Sequence, residues 1–206
     1  MTAPSDERLT AIRSSIESMH EKLATLDPKH PALSALSLAE LAFKTASFDP
    51  SALIDTAQRL EEEGRFDLAA EFYREVVKVE PHRPRGWTNL GEVRRKLSQW
   101  DLALDAYNHA LERDGKYVPA LAGKAEALRM VGRLRESLAP FKAVLEQSPD
   151  HIFAVQGLAA ALSELGQPRE ALPHWEHALR LRPESGFASD GLARCHEALA
   201  EQAGPH

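Results

Sequence analysis

Apolar residues recur in this chain at helical spacings, and in two styles. Over residues 5–26 they fall at Leu9, Ile12, Ile16, Met19, Leu23 and Leu26, alternately three and four apart, which puts them in a narrow seam along one side of a helix. Ser5 as N-cap, Asp6 and Glu7 in the first turn and Pro28 beyond the end predict the limits of that helix. A second helix, rich in alanine and leucine, is expected over about 31–47. The pair reads as a degenerate repeat or N-terminal cap. Its seam has a rival reading as a self-assembling coiled coil, for which fewer than three heptads is short.

From Pro50 the pattern becomes periodic. Units counted from Pro50, Pro84, Val118, Ile152 and Gly186 start 34 residues apart. Position 15 holds Gly64, Ser98, Gly132 and Gly166, where one helix must stop and a left-handed residue serves the turn. Position 20 is small throughout (Ala69, Ala103, Ser137, Ala171), and position 24 is aromatic (Tyr73, Tyr107, Phe141, Trp175). Position 32 holds Pro81, Gly115, Pro149 and Pro183, each able to end the second helix. Pro140 and Pro173 fall about a turn inside the second helices of the third and fourth units, where the missing donor predicts a kink rather than a break.

This pattern resembles the tetratricopeptide repeat, whose period is 34 and whose two helices carry W, L, G, Y and then A, F, P at fixed offsets. The second unit matches best, with Trp87, Leu90, Gly91, Ala103, Tyr107 and Ala110 at positions 4, 7, 8, 20, 24 and 27. The other units keep small residues at 8 (Ala57, Ala125, Ala159) but replace the tryptophan at 4 with Leu53, Leu121 and Val155. The resemblance implies an all-α superhelical solenoid of helix-turn-helix repeats. The expected organisation is an N-terminal helical pair over 1–49, repeats over 50–83, 84–117, 118–151 and 152–185, and a capping helix and tail over 186–206. Small residues at 8 and 20 let the helices of one unit approach, and the large residue at 24 fills the gap between units.

Composition narrows the function by exclusion. Of the 206 residues, 31 are acidic and 25 are Lys or Arg, a formal charge of −6 that argues against nucleic acid as partner. A lone cysteine, Cys195, excludes an intrachain disulfide or a cysteine-built metal site. No signal peptide or membrane span is read, so a cytoplasmic protein without a membrane partner is expected. No phosphate loop, nucleophile elbow or metalloprotease helix occurs. His174 and His177 share a helix face without further ligands, so no metal, cofactor or catalytic residue is expected. The run Glu61, Glu62, Glu63 reads as a solvated helix end.

What remains is a surface. Along each first helix, positions 4, 7, 8 and 11 cluster on one side and 2, 5, 9, 12 and 13 opposite. The second set is left to line the concave groove, as the family resemblance implies. The candidate partner-binding residues are Arg85, Thr88, Glu92, Arg95 and Lys96 in the second unit and Glu126 and Arg129 in the third. Phe153 and Gln156 in the fourth and Phe187 and Arg194 in the capping helix complete the set. The basic members predict an acidic peptide or a carboxylate, with Phe153 and Phe187 as apolar contacts. Some members of the family clamp chaperone tails with lysine, asparagine and arginine at five set places. Here those places hold Ile54, Gln58, Asn89, Pro119 and Gly123, of which only Asn89 fits, so that clamp is not expected. The expected function is a non-catalytic interaction module or adaptor. The alternatives are a scaffold that homo-oligomerises through residues 5–26 and a secretion-type chaperone.

Overall fold

The computed structural model describes residues 51–203 together with Thr10, Ser14, Glu17, Ser18 and Glu21. Those five are helical and exposed, and they sit three and four apart on the polar side of the first expected helix. The apolar seam and the expected helix over 31–47 lie outside the described residues.

The chain forms two compact units, Met1–Arg113 and Asp114–His206. The first contains helices α1 (Ser51–Glu62), α2 (Phe66–Val79), α3 (Pro84–Lys96) and α4 (Trp100–Arg113). The second contains α5 (Val118–Met130), α6 (Leu134–Gln147), α7 (Ile152–Glu164), α8 (Pro168–Leu181) and α9 (Gly186–Ala203). No strand occurs among the described residues. Nor is any described helix long and apolar enough to cross a membrane.

Local chemistry sets the turn between the helices of each pair. Gly64, Gly132 and Gly166 have φ of 75°, 78° and 70°, and Ser98 takes the same left-handed conformation at 57°. That residue lets the next amide reach back over five residues: Arg65 to Leu60, Gln99 to Arg94, Arg133 to Leu128 and Gln167 to Leu162, at 2.7–2.9 Å. Each bond closes a Schellman motif and satisfies a carbonyl that the helix end leaves open. Pro140 and Pro173 lie inside α6 and α8 without ending them.

The aromatic residues at position 24 form the core of both units. Tyr73, Tyr107, Phe141 and Trp175 are fully buried. In the first unit a Cβ on Gly91 would stand 2.6 Å from the Tyr107 ring, so glycine at position 8 admits the aromatic of its own repeat. In the second unit the receiving residue differs. Gly157 and Gly191 stand one helix further along the chain, where a Cβ would meet the Phe141 and Trp175 rings at 2.3 and 2.5 Å. Both are at position 6, which the motif does not mark. The two rings therefore join successive repeats, as the expected gap-filling role requires, through a glycine that the period alone does not single out.

Candidate functional site

The candidate residues of the first unit lie in a polar network built on its buried tyrosines. Tyr73 Oη donates to Glu61 Oε1 at 2.7 Å, and Lys96 Nζ donates to the other oxygen, Glu61 Oε2, at 2.8 Å. Tyr107 Oη donates to Glu92 Oε1 at 2.7 Å, while Arg95 binds Glu92 Oε2 at 2.9 Å. Burial first, and then the neighbouring carboxylate, raises both phenols well above their usual range. Glu61 is thus a bridge between two helices and not the solvated end expected for it. Lys96 also covers the Phe66 ring, 5.0 Å from its centroid. Thr88 is only 4% exposed and gives its hydroxyl to the Pro84 carbonyl at 2.9 Å. It offers nothing to a partner. Arg85 is exposed beside Tyr73.

The second unit repeats part of this arrangement with the charges exchanged. Arg129 binds Glu126 at 2.8 Å and reaches Glu164 at 2.6 Å. The Arg129–Glu164 pair joins positions 12 and 13 of successive repeats, as Glu61–Lys96 does in the first unit, but the cation now stands first. The hydrogen bonds that Arg129 donates to Glu126, which outweigh the cost of burial, hold its guanidinium more firmly protonated than usual.

Beside this pair a cavity of about 440 Å³ opens between α7, α8 and α9. It brings together Arg129, Phe187 and Arg194, three of the candidates, against the buried Trp175 and Cys195. Phe187 is 51% exposed and meets the Trp175 ring edge-on, with centroids 5.3 Å apart. The Trp175 indole donates to Ser163 Oγ at 3.0 Å, and that hydroxyl donates to the Ala159 carbonyl at 2.9 Å, which fixes the ring as one wall. Arg194 is exposed and makes no hydrogen bond or ion pair with the described residues. Ala160, at position 9 on the expected groove face, also lines it, as do Ala198 and Gln202, which were not singled out in the sequence because the repeat assigns them no role. Phe153 and Gln156 are not part of this cavity. Phe153, 42% exposed, packs toward Phe141 with centroids 6.5 Å apart, and Gln156 donates to Ser185 Oγ at 3.1 Å.

No cluster of His, Cys, Asp and Glu among the described residues is arranged to hold a metal ion. His177 is paired instead with Asp150 at 2.9 Å. The arrangement offers an apolar recess, a fixed aromatic wall and one guanidinium that is unpaired among the described residues, which suits recognition of a side chain or a short segment.

The described helices, paired by left-handed turns around buried rings, define an all-α helical-repeat protein. The family model described as tetratricopeptide repeat matches residues 54–118 and again 88–152, and over them the chain belongs to the tetratricopeptide-repeat family. Solved structures share the fold. The MamA protein is similar over 73% of this chain and 82% of its own, with a TM-score of 0.68 and 16% identity. YrrB, a TPR protein with an unusual peptide-binding site, covers 88% of this chain and 97% of its own at TM-score 0.63 and 22% identity. A tetratricopeptide repeat protein from Parabacteroides merdae ATCC 43184 covers 74% and 60%, with TM-score 0.65 and 21% identity. No curated protein matches the chain in sequence.

Proposed function

We propose that this protein is a non-catalytic interaction module, built of repeats over 50–83, 84–117, 118–151 and 152–185, that seats a peptide or helix of a protein partner on its repeat face. The principal seat is the cavity beside Trp175. The observation that carries this reading is the conjunction of that cavity with Phe187, a phenylalanine left half in solvent at its mouth, and Arg194, a guanidinium without a partner among the described residues. An isolated apolar recess of this size costs little in a stable fold, but an exposed aromatic at its rim is surface that folding has not used. A peptide-binding site in YrrB, a protein of the same fold, is consistent with such a role. Arg194 favours a carboxylate on the partner, whereas Arg95, Lys96 and Arg129 are already neutralised and contribute shape more than charge.

The test is a peptide selected against the full-length protein from a random displayed library, its affinity then measured by calorimetry. Phe187→Ala and Arg194→Glu should each weaken binding by about tenfold or more, as expected of residues at the centre of a small interface. Unchanged affinity in both variants would show that the cavity is not the seat.

A further inference from the structure

In each unit an ion pair ties the first helices of successive repeats together. Lys96 Nζ, at position 13 of α3, donates to Glu61, at position 12 of α1, at 2.8 Å, and Arg129, at position 12 of α5, reaches Glu164, at position 13 of α7, at 2.6 Å. The partners are 35 residues apart in both pairs. The junction between α7 and α9 has no such bridge. Its equivalent residues, Ser163 and Ala198, keep the same separation in sequence, but one is short and the other carries no charge. Both line the cavity of about 440 Å³ beside Trp175, so the recess stands where the other two junctions place a carboxylate and a cation.

Ser163 does more than leave room. A hydroxyl has one proton and two lone pairs. The proton goes to the Ala159 carbonyl at 2.9 Å, and one lone pair accepts the Trp175 indole N–H at 3.0 Å. The other faces Cys195 Sγ at 3.4 Å, with the thiol as donor because the hydroxyl proton is already placed. One small residue of α7 therefore holds a ring of α8 and a thiol of α9, and it has no hydrogen-bonding capacity left for a ligand. What it contributes to binding is the position of the indole and the space beside it. The first repeat shows the alternative at the same positions. Glu61 and Tyr73 are 12 residues apart, as Ser163 and Trp175 are, and the Glu61 carboxylate accepts from the ring and also reaches Lys96.

We propose that Ser163 and Ala198 are the specificity-determining pair of this protein: their small side chains leave the last junction unbridged, and a side chain of the partner inserts between α7 and α9 in place of the missing ion pair. This rests on the cavity beside Trp175 being the partner's seat. Ser163→Glu with Ala198→Lys rebuilds the bridge of the first unit, with the indole donating to the new carboxylate as Tyr73 does to Glu61. In thermal unfolding of the full-length protein, Ser163→Glu should be more favourable with Ala198→Lys present than without it. The double variant should bind the peptide selected from the displayed library about tenfold or more weakly. Ser163→Gln, which adds bulk without charge and still accepts from the indole, should weaken binding severalfold while the Trp175 indole N–H resonance moves little. Glu61→Ser with Lys96→Ala, in the other unit, should leave the affinity unchanged. The proposal is overturned if the two changes at the last junction show no coupling. It is also overturned if the folded double variant and Ser163→Gln bind as the parent does while Phe187→Ala weakens binding, a result that keeps the cavity as the seat. If Phe187→Ala and Arg194→Glu are without effect as well, the seat itself is wrong and the proposal falls with it.

Discussion

The two units use the same repeat position in opposite ways. In the first, the aromatic at position 24 is tyrosine, and its buried hydroxyl must find an acceptor. Glu61 and Glu92 supply it, and Lys96 and Arg95 then neutralise those carboxylates. One buried hydroxyl therefore commits three side chains, and the face around it is closed. In the second, Phe141 has no polar atom, and Trp175 needs only the Ser163 hydroxyl. The neighbouring residues are released from that duty. Phe153 and Phe187 pack beside the rings instead, half in solvent, and a cavity remains. The repeat demands a large ring at position 24; the ring's polarity decides whether the surface beside it is tied up or left open.

The comparison is broken most severely by removing a ring. Trp175→Ala should cost about 3–5 kcal/mol of stability in urea unfolding, the usual range for a fully buried tryptophan. By contrast Tyr107→Phe, which keeps the ring and loses only the hydroxyl's bond to Glu92, should cost about 1 kcal/mol. Next in size is the glycine at position 6. Gly157→Ala drives a methyl group into the Phe141 ring, which is buried and cannot swing aside, and should cost about 1–3 kcal/mol. Combined with Phe141→Leu, which makes room, the loss should be less than the sum of the two single changes.

Smaller effects distinguish the units by pH. Tyr73 and Tyr107 hold their protons more tightly folded than unfolded. The stability they add is complete below about pH 10 and falls as pH rises past it. Amide signals of the first unit should therefore report an alkaline destabilisation that Tyr73→Phe with Tyr107→Phe reduces. His174 behaves in the opposite sense, its pKa lowered by burial first and then by His177 and Lys142. Its contribution to the second unit is complete above about pH 6.5 and is lost as pH falls through that value, and His174→Gln should remove this part of the acid sensitivity. The smallest effects belong to the exchanged ion pairs. Lys96→Gln and Glu164→Gln should each change stability by less than about 1 kcal/mol, because one or both partners face solvent.

Much of the fold was legible because it depends on residues close in sequence or on size alone. The left-handed turn at Gly64, Gly132 and Gly166 is a local backbone requirement, and the buried aromatics at position 24 are a volume requirement repeated four times. The site was less legible for a physical reason. Whether a surface cation is free depends on a partner that the fold brings in from another helix, and Lys96–Glu61 and Arg129–Glu164 are each 35 residues apart. Read along the chain, the basic residues near the second repeat looked like a free cluster. In space most of them are answered, and Arg194, far outside that cluster, is the one left at the cavity.

The most direct test of the central claim fills the cavity without disturbing the fold. Ala198 lines it from α9 and is only partly buried, so Ala198→Phe can occupy the recess beside Trp175 with little strain. The account predicts a melting temperature close to that of the parent protein together with loss of most of the affinity for the selected peptide, about tenfold or more. Full affinity in a variant that folds normally would contradict it.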